Sequence, residues 1–265
     1  MSTTRSLSPP APATEPAAPG VRPRRRLFLV GHGSTRAPED NRSLMRHAER
    51  LAESTHFESV DVGLLYGEPS AKQVAQGLPR EPLFVVPFFM AGGHYPSEAV
   101  PALFEDDGGN MNGRGPVFCQ PVGLHPRLAD LVIERTLSVI TPLEWRAAET
   151  TLLLIGHGSE KSPASWQATE AQARRMRRPA LFRQVTTAYL EQAPHLEDIL
   201  ALLHGPVVAV GLFAGDGAHA GRDIPERLQG YDAGAAVYLG AVGSDKAMAD
   251  LVLDQVAAAD PSFRR

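Results

Sequence analysis

Two copies of a Gly-His-Gly-Ser motif contain the residues best suited to chemistry. The first copy includes His32 and the second includes His157, and each motif directly follows a short apolar run. His94 and His219 form another pair, and the numbering differs by 125 in both pairs. Imidazole nitrogens bind Fe²⁺, Co²⁺, Ni²⁺ or Zn²⁺ and transfer protons near neutral pH. The four histidines therefore predict metal or proton chemistry in two related places.

A carboxylate accompanies the histidines in the second copy. Glu191 ends a predicted strand there, whereas the equivalent first-copy residue is Tyr66, with Glu68 two residues later. Glycines next to the histidines permit tight turns and let a flat ligand approach the backbone. The first-copy glycines are Gly31, Gly33, Gly92 and Gly93, and those of the second copy are Gly156, Gly158, Gly215 and Gly217. The second copy thus offers two imidazoles and one carboxylate.

An internal duplication explains these pairs. Leu27–Ser34 and Leu152–Ser159 are identical at six of eight positions. In each copy, short apolar runs alternate with amphipathic stretches, which is typical of parallel βαβ units. The predicted fold is α/β, with two similar three-layer αβα lobes and parallel sheets. We expect a disordered N-terminal arm at 1–26, a first domain at 27–140 and a second at 150–258.

The predicted strands place the histidines together. Ligands of parallel sheets bind beyond the carboxyl ends of the strands, and both histidines of each copy fall at such ends. The first-copy strands are predicted at 27–30, 59–66, 83–90 and 116–122, with helices over 39–54, near 97–104 and from 126. The second-copy strands are predicted at 151–155, 185–190, 206–213 and 235–239.

The overall composition excludes several classes of function. The 265 residues carry a net charge of −4 and a pI near 6.1, so no basic field indicates nucleic-acid binding. No apolar run reaches the roughly 18–20 residues of a membrane helix, and no secretory signal is apparent, so we expect a cytoplasmic protein. The single cysteine, Cys119, excludes a thiolate cluster within the chain. Any metal must therefore meet nitrogen and oxygen ligands.

The motif does not match other common active sites. Histidine phosphatases need an arginine where Gly31 and Gly156 stand, and a hydrolase elbow needs Gly-x-Ser-x-Gly. Neither a Walker-type phosphate loop nor a dinucleotide-binding Gly-x-Gly-x-x-Gly is present. Phosphoryl transfer, serine hydrolysis and nicotinamide chemistry therefore have no support.

The ordered set of motifs resembles the class II tetrapyrrole chelatases, in particular the CbiX/SirB-like sirohydrochlorin cobaltochelatases and ferrochelatases in their duplicated form. The resemblance covers nearly everything from Leu27 to Ala258. The matching segments are Val30–Ser34, Glu68–Ser70, Val85–Phe89 with Gly93-His94, Gly123–Pro126, Ile155–Ser159, Tyr189–Glu191, and His219 with Asp223–Pro225.

The resemblance implies an enzyme of the lyase class that inserts Co²⁺ or Fe²⁺ into sirohydrochlorin or a related tetrapyrrole, in siroheme or cobalamin biosynthesis. It implies that His32 and His94 bind the metal near the pyrrole nitrogens, that His157 and His219 do the same, and that Glu191 is the active-site glutamate. The metal, which includes Ni²⁺ among the options, is a substrate, and no permanently bound cofactor is expected. A duplicated chain has its own cleft between the lobes, so a monomer suffices.

Because the substrate carries carboxylates, we expect cationic groups at the cleft rim, and the candidates are Arg36, Lys161 and Arg222. The backbone at Gly31, Gly33, Ser34 and Gly93 is also expected to contact the substrate. Aromatic neighbours of the motifs could floor the cleft: Phe88, Phe89, Tyr95 and Phe213. The sequence leaves open which lobe works, which metal is used, and whether Tyr66 in place of glutamate indicates a binding protein of the same fold that lacks turnover.

Overall fold

A computed structural model describes residues 25–35, 41–79, 82–105, 115–160, 162–178 and 181–263. The predicted N-terminal arm lies almost entirely outside the described residues, as do Arg36 and Lys161. Within the described ranges, no helix is both long enough and apolar enough to cross a membrane.

The first lobe is built on a four-stranded parallel sheet of order β2-β1-β3-β4. Its strands are β1 (Arg26–Gly31), β2 (Ser59–Leu64), β3 (Leu83–Pro87) and β4 (Val117–Phe118). Residues 27–30 of β1 are completely buried. A strand that is apolar at every position needs cover on both faces, and helices provide it here.

The second lobe repeats this sheet with the order β6-β5-β7-β8. Its strands are β5 (Thr151–Gly156), β6 (Gln184–Tyr189), β7 (Val207–Gly211) and β8 (Ala236–Ala241). The register also repeats, because Gly31 pairs with Leu64 in the first sheet as Gly156 pairs with Tyr189 in the second. The predicted α/β fold with two similar lobes from a duplication is confirmed.

The helices cover both sheets in layers. They are α1 (Arg42–Glu53), α2 (Ala71–Gly77), α3 (Val100–Ala102), α4 (Arg127–Ile140), α5 (Ala164–Met176), α6 (Leu196–Leu202), α7 (Ile224–Leu228) and α8 (Met248–Ala259). Alternate strand residues face opposite layers: Phe28 and Val30 pack with α2 and α3, whereas Leu27 and Leu29 face the other side. That inner side merges with the inward face of β5 and with α1, α4, α5 and α8 into one core shared by both lobes.

Two equivalent hydrogen bonds join the lobes. The buried His47 on α1 donates through Nε2 to the Gly243 carbonyl at 2.7 Å, and Gln172 on α5 donates through Nε2 to the Gly123 carbonyl at 2.7 Å. His47 and Gln172 differ by 125 in number, the spacing of the repeat. The interface between the lobes therefore resembles a two-fold interface between copies of one domain.

Two segments differ from the sequence prediction. The helix expected near 97–104 is a π-helix at Tyr95–Ala99 followed by the short α3, and the second lobe has a π-helix at His219–Asp223 before α7. Prolines near these turns remove backbone donors, which favours irregular hydrogen bonding. The strand expected at 116–122 is only two residues long, and both are exposed. Pro116 and Pro121 flank it and limit its pairing.

Candidate functional site

Three adjacent strand ends in the second lobe bring the predicted ligands together. His157 directly follows β5, Glu191 lies two residues beyond β6, and His219 opens the π-helix after β7. The Glu191 backbone N–H donates to the His157 carbonyl at 2.9 Å, so the loops after β5 and β6 are fixed side by side. This arrangement is the one that the parallel sheet order β6-β5-β7 dictates.

The three side chains are close enough to share one ion. The ligand atoms of His157, Glu191 and His219 all lie within 4.8 Å of one another, and the two imidazole centroids are 5.2 Å apart. No other three His, Cys, Asp or Glu side chains within the described ranges meet this criterion. An ion bound at about 2.1 Å needs such atoms about 3 to 4 Å apart, so small side-chain rotations would close the site.

Hydrogen bonds fix the tautomer of both imidazoles of this cluster. His157 Nδ1 lies 2.8 Å from the Gly158 carbonyl, and His219 Nδ1 lies 2.9 Å from the Asp223 carboxylate. Both partners only accept, so Nδ1 carries the proton and the lone pair of a neutral ring is on Nε2. The bond from His219 is the main cause that holds the pKa of Asp223 below its usual value, so this carboxylate stays ionised. Such orientation by a carboxylate strengthens a histidine as a metal ligand.

Asp223 is a candidate functional residue that the sequence motifs did not single out, since it entered only as part of a family segment. The signal was available, because His219 and Asp223 are four residues apart, and His94 and Glu98 have the same spacing. In the structure His94 Nδ1 lies 3.1 Å from Glu98. The orienting carboxylate is therefore present in both lobes.

Glycines after the first histidine of each lobe hold the loops tightly. Gly33 and Gly158 have φ angles of 76° and 77°, in the left-handed region that favours glycine. A Cβ at Gly33 would lie 2.2 Å from the Tyr66 carbonyl oxygen, and one at Gly158 would lie 2.6 Å from Gln192. Both loops therefore require glycine.

The first lobe orients its histidines in the same way but surrounds them differently. His32 Nδ1 lies 2.9 Å from the Gly33 carbonyl, so its Nε2 is also the available nitrogen. The His32 ring contacts Tyr66 and Tyr95 at centroid distances of 4.9 and 4.8 Å, and the His94 ring contacts Tyr95 at 5.6 Å. Tyr66 occupies the position of Glu191. Within the described ranges, His32 and His94 belong to no group of three potential ligands.

A cleft of about 390 Å³ lies between the lobes and receives residues from both. Its lining from the first lobe includes His32, Phe88, Phe89, Met90, Gly93, His94, Tyr95 and Pro96, and its lining from the second includes His157, Ser159, Ser162, Ser165 and Phe213. The four aromatic residues proposed for the cleft floor all lie there, although Phe88 is also a core residue with 1% exposure. Pockets of this size hold small-molecule ligands.

The other candidate residues lie around this cleft. Gly31, Gly33 and Ser34 line an adjoining cavity of about 190 Å³, which His32 also lines. Arg222 is paired with Asp223 at 3.3 Å, and its side chain is 69% exposed. Arg222 thus lies beside the cluster of potential ligands, where its cationic group can also reach solvent. The metal and substrate roles of all these residues stay predictions.

The comparisons with known proteins agree on one family. The CbiX family model matches residues 26–139 and 151–259, once in each lobe. A protein of Halobacterium salinarum named as a probable sirohydrochlorin cobaltochelatase is 29% identical over 267 residues, which span 87% of this chain and 90% of that protein. A sirohydrochlorin cobaltochelatase of Methanopyrus kandleri is 28% identical over 133 residues, which span 41% of this chain and 92% of that protein.

Solved structures of chelatases share the fold. SirB from Bacillus subtilis with Fe³⁺ aligns with a TM-score of 0.73 at 16% identity, over 91% of this chain and 98% of that one. CbiX, described as the terminal enzyme for biosynthesis of siroheme in denitrifying bacteria, aligns with a TM-score of 0.69 at 20% identity, over 89% and 99%. With two family matches that together span both lobes, the chain belongs to the CbiX family.

Proposed function

We propose that this protein is a chelatase that inserts a divalent metal ion, Co²⁺ or Fe²⁺, into sirohydrochlorin, and that the second lobe carries the metal. The observation that supports this most directly is the cluster of His157, Glu191 and His219 at the cleft. The names of the Halobacterium and Methanopyrus relatives support sirohydrochlorin as the substrate. The product would be siroheme or a cobalamin precursor.

The ligand set suits a metal that is bound briefly and then released. Two imidazoles and one carboxylate favour Co²⁺, Fe²⁺ and Ni²⁺, and three protein ligands leave positions open for water or substrate. A closed four-ligand structural site would hold the ion too firmly. The cluster borders the cleft through His157, so an ion held there has a short path to a ring in the cleft.

Insertion also requires the ring to lose two N–H protons. Histidine is a suitable acceptor because its ordinary pKa of about 6.5 is close to neutral pH. His157 and His219 use Nδ1 in hydrogen bonds and keep Nε2 available, so each can either hold the ion or take a proton. Glu191 and the ionised Asp223 are negative and stabilise both the incoming cation and a protonated imidazole.

The alternative is a binding protein that keeps the cleft but lacks turnover. Tyr66 in place of glutamate in the first lobe is the observation that motivates it. Both functions require ring binding, but only a chelatase accelerates metal insertion beyond the spontaneous rate. An anaerobic assay with sirohydrochlorin and Co²⁺, Fe²⁺ or Ni²⁺, followed by visible absorbance, separates them. If no metal is inserted faster than in buffer, the chelatase proposal is wrong.

The same assay locates the working lobe. The double substitution His157→Ala and His219→Ala should lower kcat at least about 100-fold, because it removes both imidazoles of the cluster. The matched control, His32→Ala with His94→Ala, should cost less than about tenfold. Equal losses in the two double variants would contradict a single metal site in the second lobe.

A further inference from the structure

The two walls of the cleft differ in chemistry. The first-lobe wall carries three aromatic side chains beside its two histidines, whereas the second-lobe wall carries only Phe213, beside His157 and three serines. A tetrapyrrole has large flat faces, and aromatic side chains are the usual partners of such faces. The walls therefore suggest different roles: the first lobe binds the ring, and the second lobe binds the metal.

Connected aromatic rings lie in the first-lobe wall, and Tyr66 adjoins them just outside the cleft lining. Tyr95 stacks on Phe89 with an interplanar angle of 14° and meets His32 edge-on at 4.8 Å. The Tyr66 ring contacts the rings of His32 and Tyr95, at centroid distances of 4.9 and 6.1 Å. Because these side chains contact one another, we expect them to move little when a ligand binds. Preorganised surfaces of this kind lose little entropy on binding.

Tyr66 is 48% exposed, which is unusual for a large aromatic side chain that lies beside a cleft. The Tyr66 ring centroid lies 4.9 Å from that of His32 and 6.1 Å from that of Tyr95, and both of these neighbours line the cleft. A phenol O–H in this exposed position can donate to a carboxylate of a ligand.

The repeat shows that both tyrosines are specific to the first lobe. At the spacing of 125 residues, Tyr66 corresponds to Glu191 and Tyr95 corresponds to Ala220. The lobes therefore differ at two neighbouring positions, and both differences replace a small or charged residue with a phenol. One change removes a metal ligand, and the other adds a flat surface in the cleft.

We propose that Tyr95 and Tyr66 make the first lobe the ring-holding lobe: Tyr95 packs against the tetrapyrrole, and Tyr66 donates a hydrogen bond to one of its carboxylates. This inference rests on the proposed function, because it takes a carboxylated tetrapyrrole as the ligand. It adds that the first lobe is a substrate-binding surface, distinct from the metal cluster of the second lobe.

The test measures ring binding without metal. Metal-free sirohydrochlorin is titrated anaerobically into wild-type protein, Tyr95→Ala and Tyr66→Phe, and the Kd is read from the absorbance change. Tyr95→Ala reproduces the second-lobe residue and should weaken binding about three- to tenfold, the range for loss of one aromatic contact. Tyr66→Phe keeps the ring but removes the donor, and should weaken binding about threefold. Phe118→Ala removes a similarly exposed aromatic whose ring contacts Phe104, away from the cleft lining, and should leave the Kd unchanged.

Two further readouts separate ring binding from a general structural effect. Titration with Co²⁺ alone should give the wild-type affinity in both tyrosine variants, because the second-lobe cluster is intact. In the insertion assay both variants should raise KM and leave kcat within about twofold of wild type. Conversely, His219→Ala should lose Co²⁺ binding but keep the wild-type Kd for the metal-free ring.

The outcomes distinguish this inference from the proposed function. If wild-type protein inserts metal but the two tyrosine variants bind the ring as well as wild type, the ring-holding role is wrong and the chelatase proposal stands. The ring-holding role is equally wrong if the variants lower kcat or Co²⁺ affinity instead of ring affinity. If wild-type protein neither binds nor metallates sirohydrochlorin, both proposals fail.

Discussion

The two lobes have the same sheet order and the same two histidines, with Nδ1 of each imidazole hydrogen-bonded to an equivalent acceptor. Yet only the second lobe assembles a three-ligand cluster within the described residues. The difference lies in the loop after the second strand of each sheet, where Glu191 stands in one lobe and Tyr66 in the other. The fold thus provides the position, but one side chain decides whether that position offers a third potential metal ligand.

The comparison also shows why both copies persist although they differ. Their inner helices form one core, with residues such as Leu29 and Leu154 in the same cluster. Neither lobe can be removed without exposing that apolar surface to water. The first lobe is therefore held in place by packing, and its cleft residues could change while its core residues stayed apolar.

Glu191→Tyr should have the largest effect on metal binding, because it gives the second lobe the residue of the first. The cluster would keep its imidazoles but lose its only anionic ligand, so the Co²⁺ affinity should fall at least about 100-fold. Titration with Co²⁺, followed by visible absorption or calorimetry, measures this. The matched control is Tyr66→Phe, which should leave Co²⁺ affinity within about twofold. A wild-type affinity for Glu191→Tyr would show that the carboxylate is not a ligand.

Asp223→Ala should have a smaller effect, since Asp223 orients His219 and is not itself in the cluster. Loss of an orienting carboxylate of this kind costs about 10- to 100-fold in metal affinity. Glu98→Ala makes the equivalent change beside His94 in the first lobe. It should leave the Co²⁺ affinity unchanged, as measured in the same titration. Equal losses in the two variants would indicate that both lobes bind metal.

Much of the fold could be predicted because the repeat shows the same alternation of apolar and amphipathic segments twice. The strand predicted at 27–30 is β1, and the strand at 151–155 is β5, each within one residue at either end. The prediction was less accurate where the apolar pattern does not control the backbone. At 116–122 an apolar run forms only the short β4, and near 97–104 the backbone adopts a π-helix that no hydrophobic period specifies.

The cluster in the second lobe could also be predicted, since strand ends in a parallel sheet converge. The contrast between the lobes could be predicted only in part. The sequence shows Tyr66 opposite Glu191, but not that the Tyr66 ring contacts His32 and Tyr95. Those contacts depend on side-chain directions in loops, and periodicity carries no information about them.

The lobes also differ at one pair of equivalent interface residues, and only the structure shows that both residues form hydrogen bonds across the interface. His47 and Gln172 make equivalent hydrogen bonds to glycine carbonyls of the opposite lobe, but only histidine can be protonated. Burial is the largest cause that lowers the pKa of His47, and Arg46 and Arg50 lower it further, whereas the Gly243 carbonyl and Asp245 oppose the shift. The ring also packs on Phe88 at 5.2 Å. The folded protein therefore holds His47 neutral.

Because only the first lobe has a histidine here, we expect the stability of the protein to depend modestly on pH. Replacing this histidine should remove that contribution. Below about pH 6.5 the unfolded chain binds a proton at His47 that the folded chain does not, so stability is complete above that pH and falls as the pH drops towards the folded pKa. His47→Gln gives the first lobe the residue of the second and keeps an N–H donor, so its stability at pH 7.5 should stay within about 1 kcal/mol of wild type. Urea unfolding at pH 7.5 and 5.5 should show a smaller loss for His47→Gln than for wild type. Gln172→His, the reciprocal change, should show a larger loss, and identical pH dependence in all three proteins would mean that the interface does not sense protons.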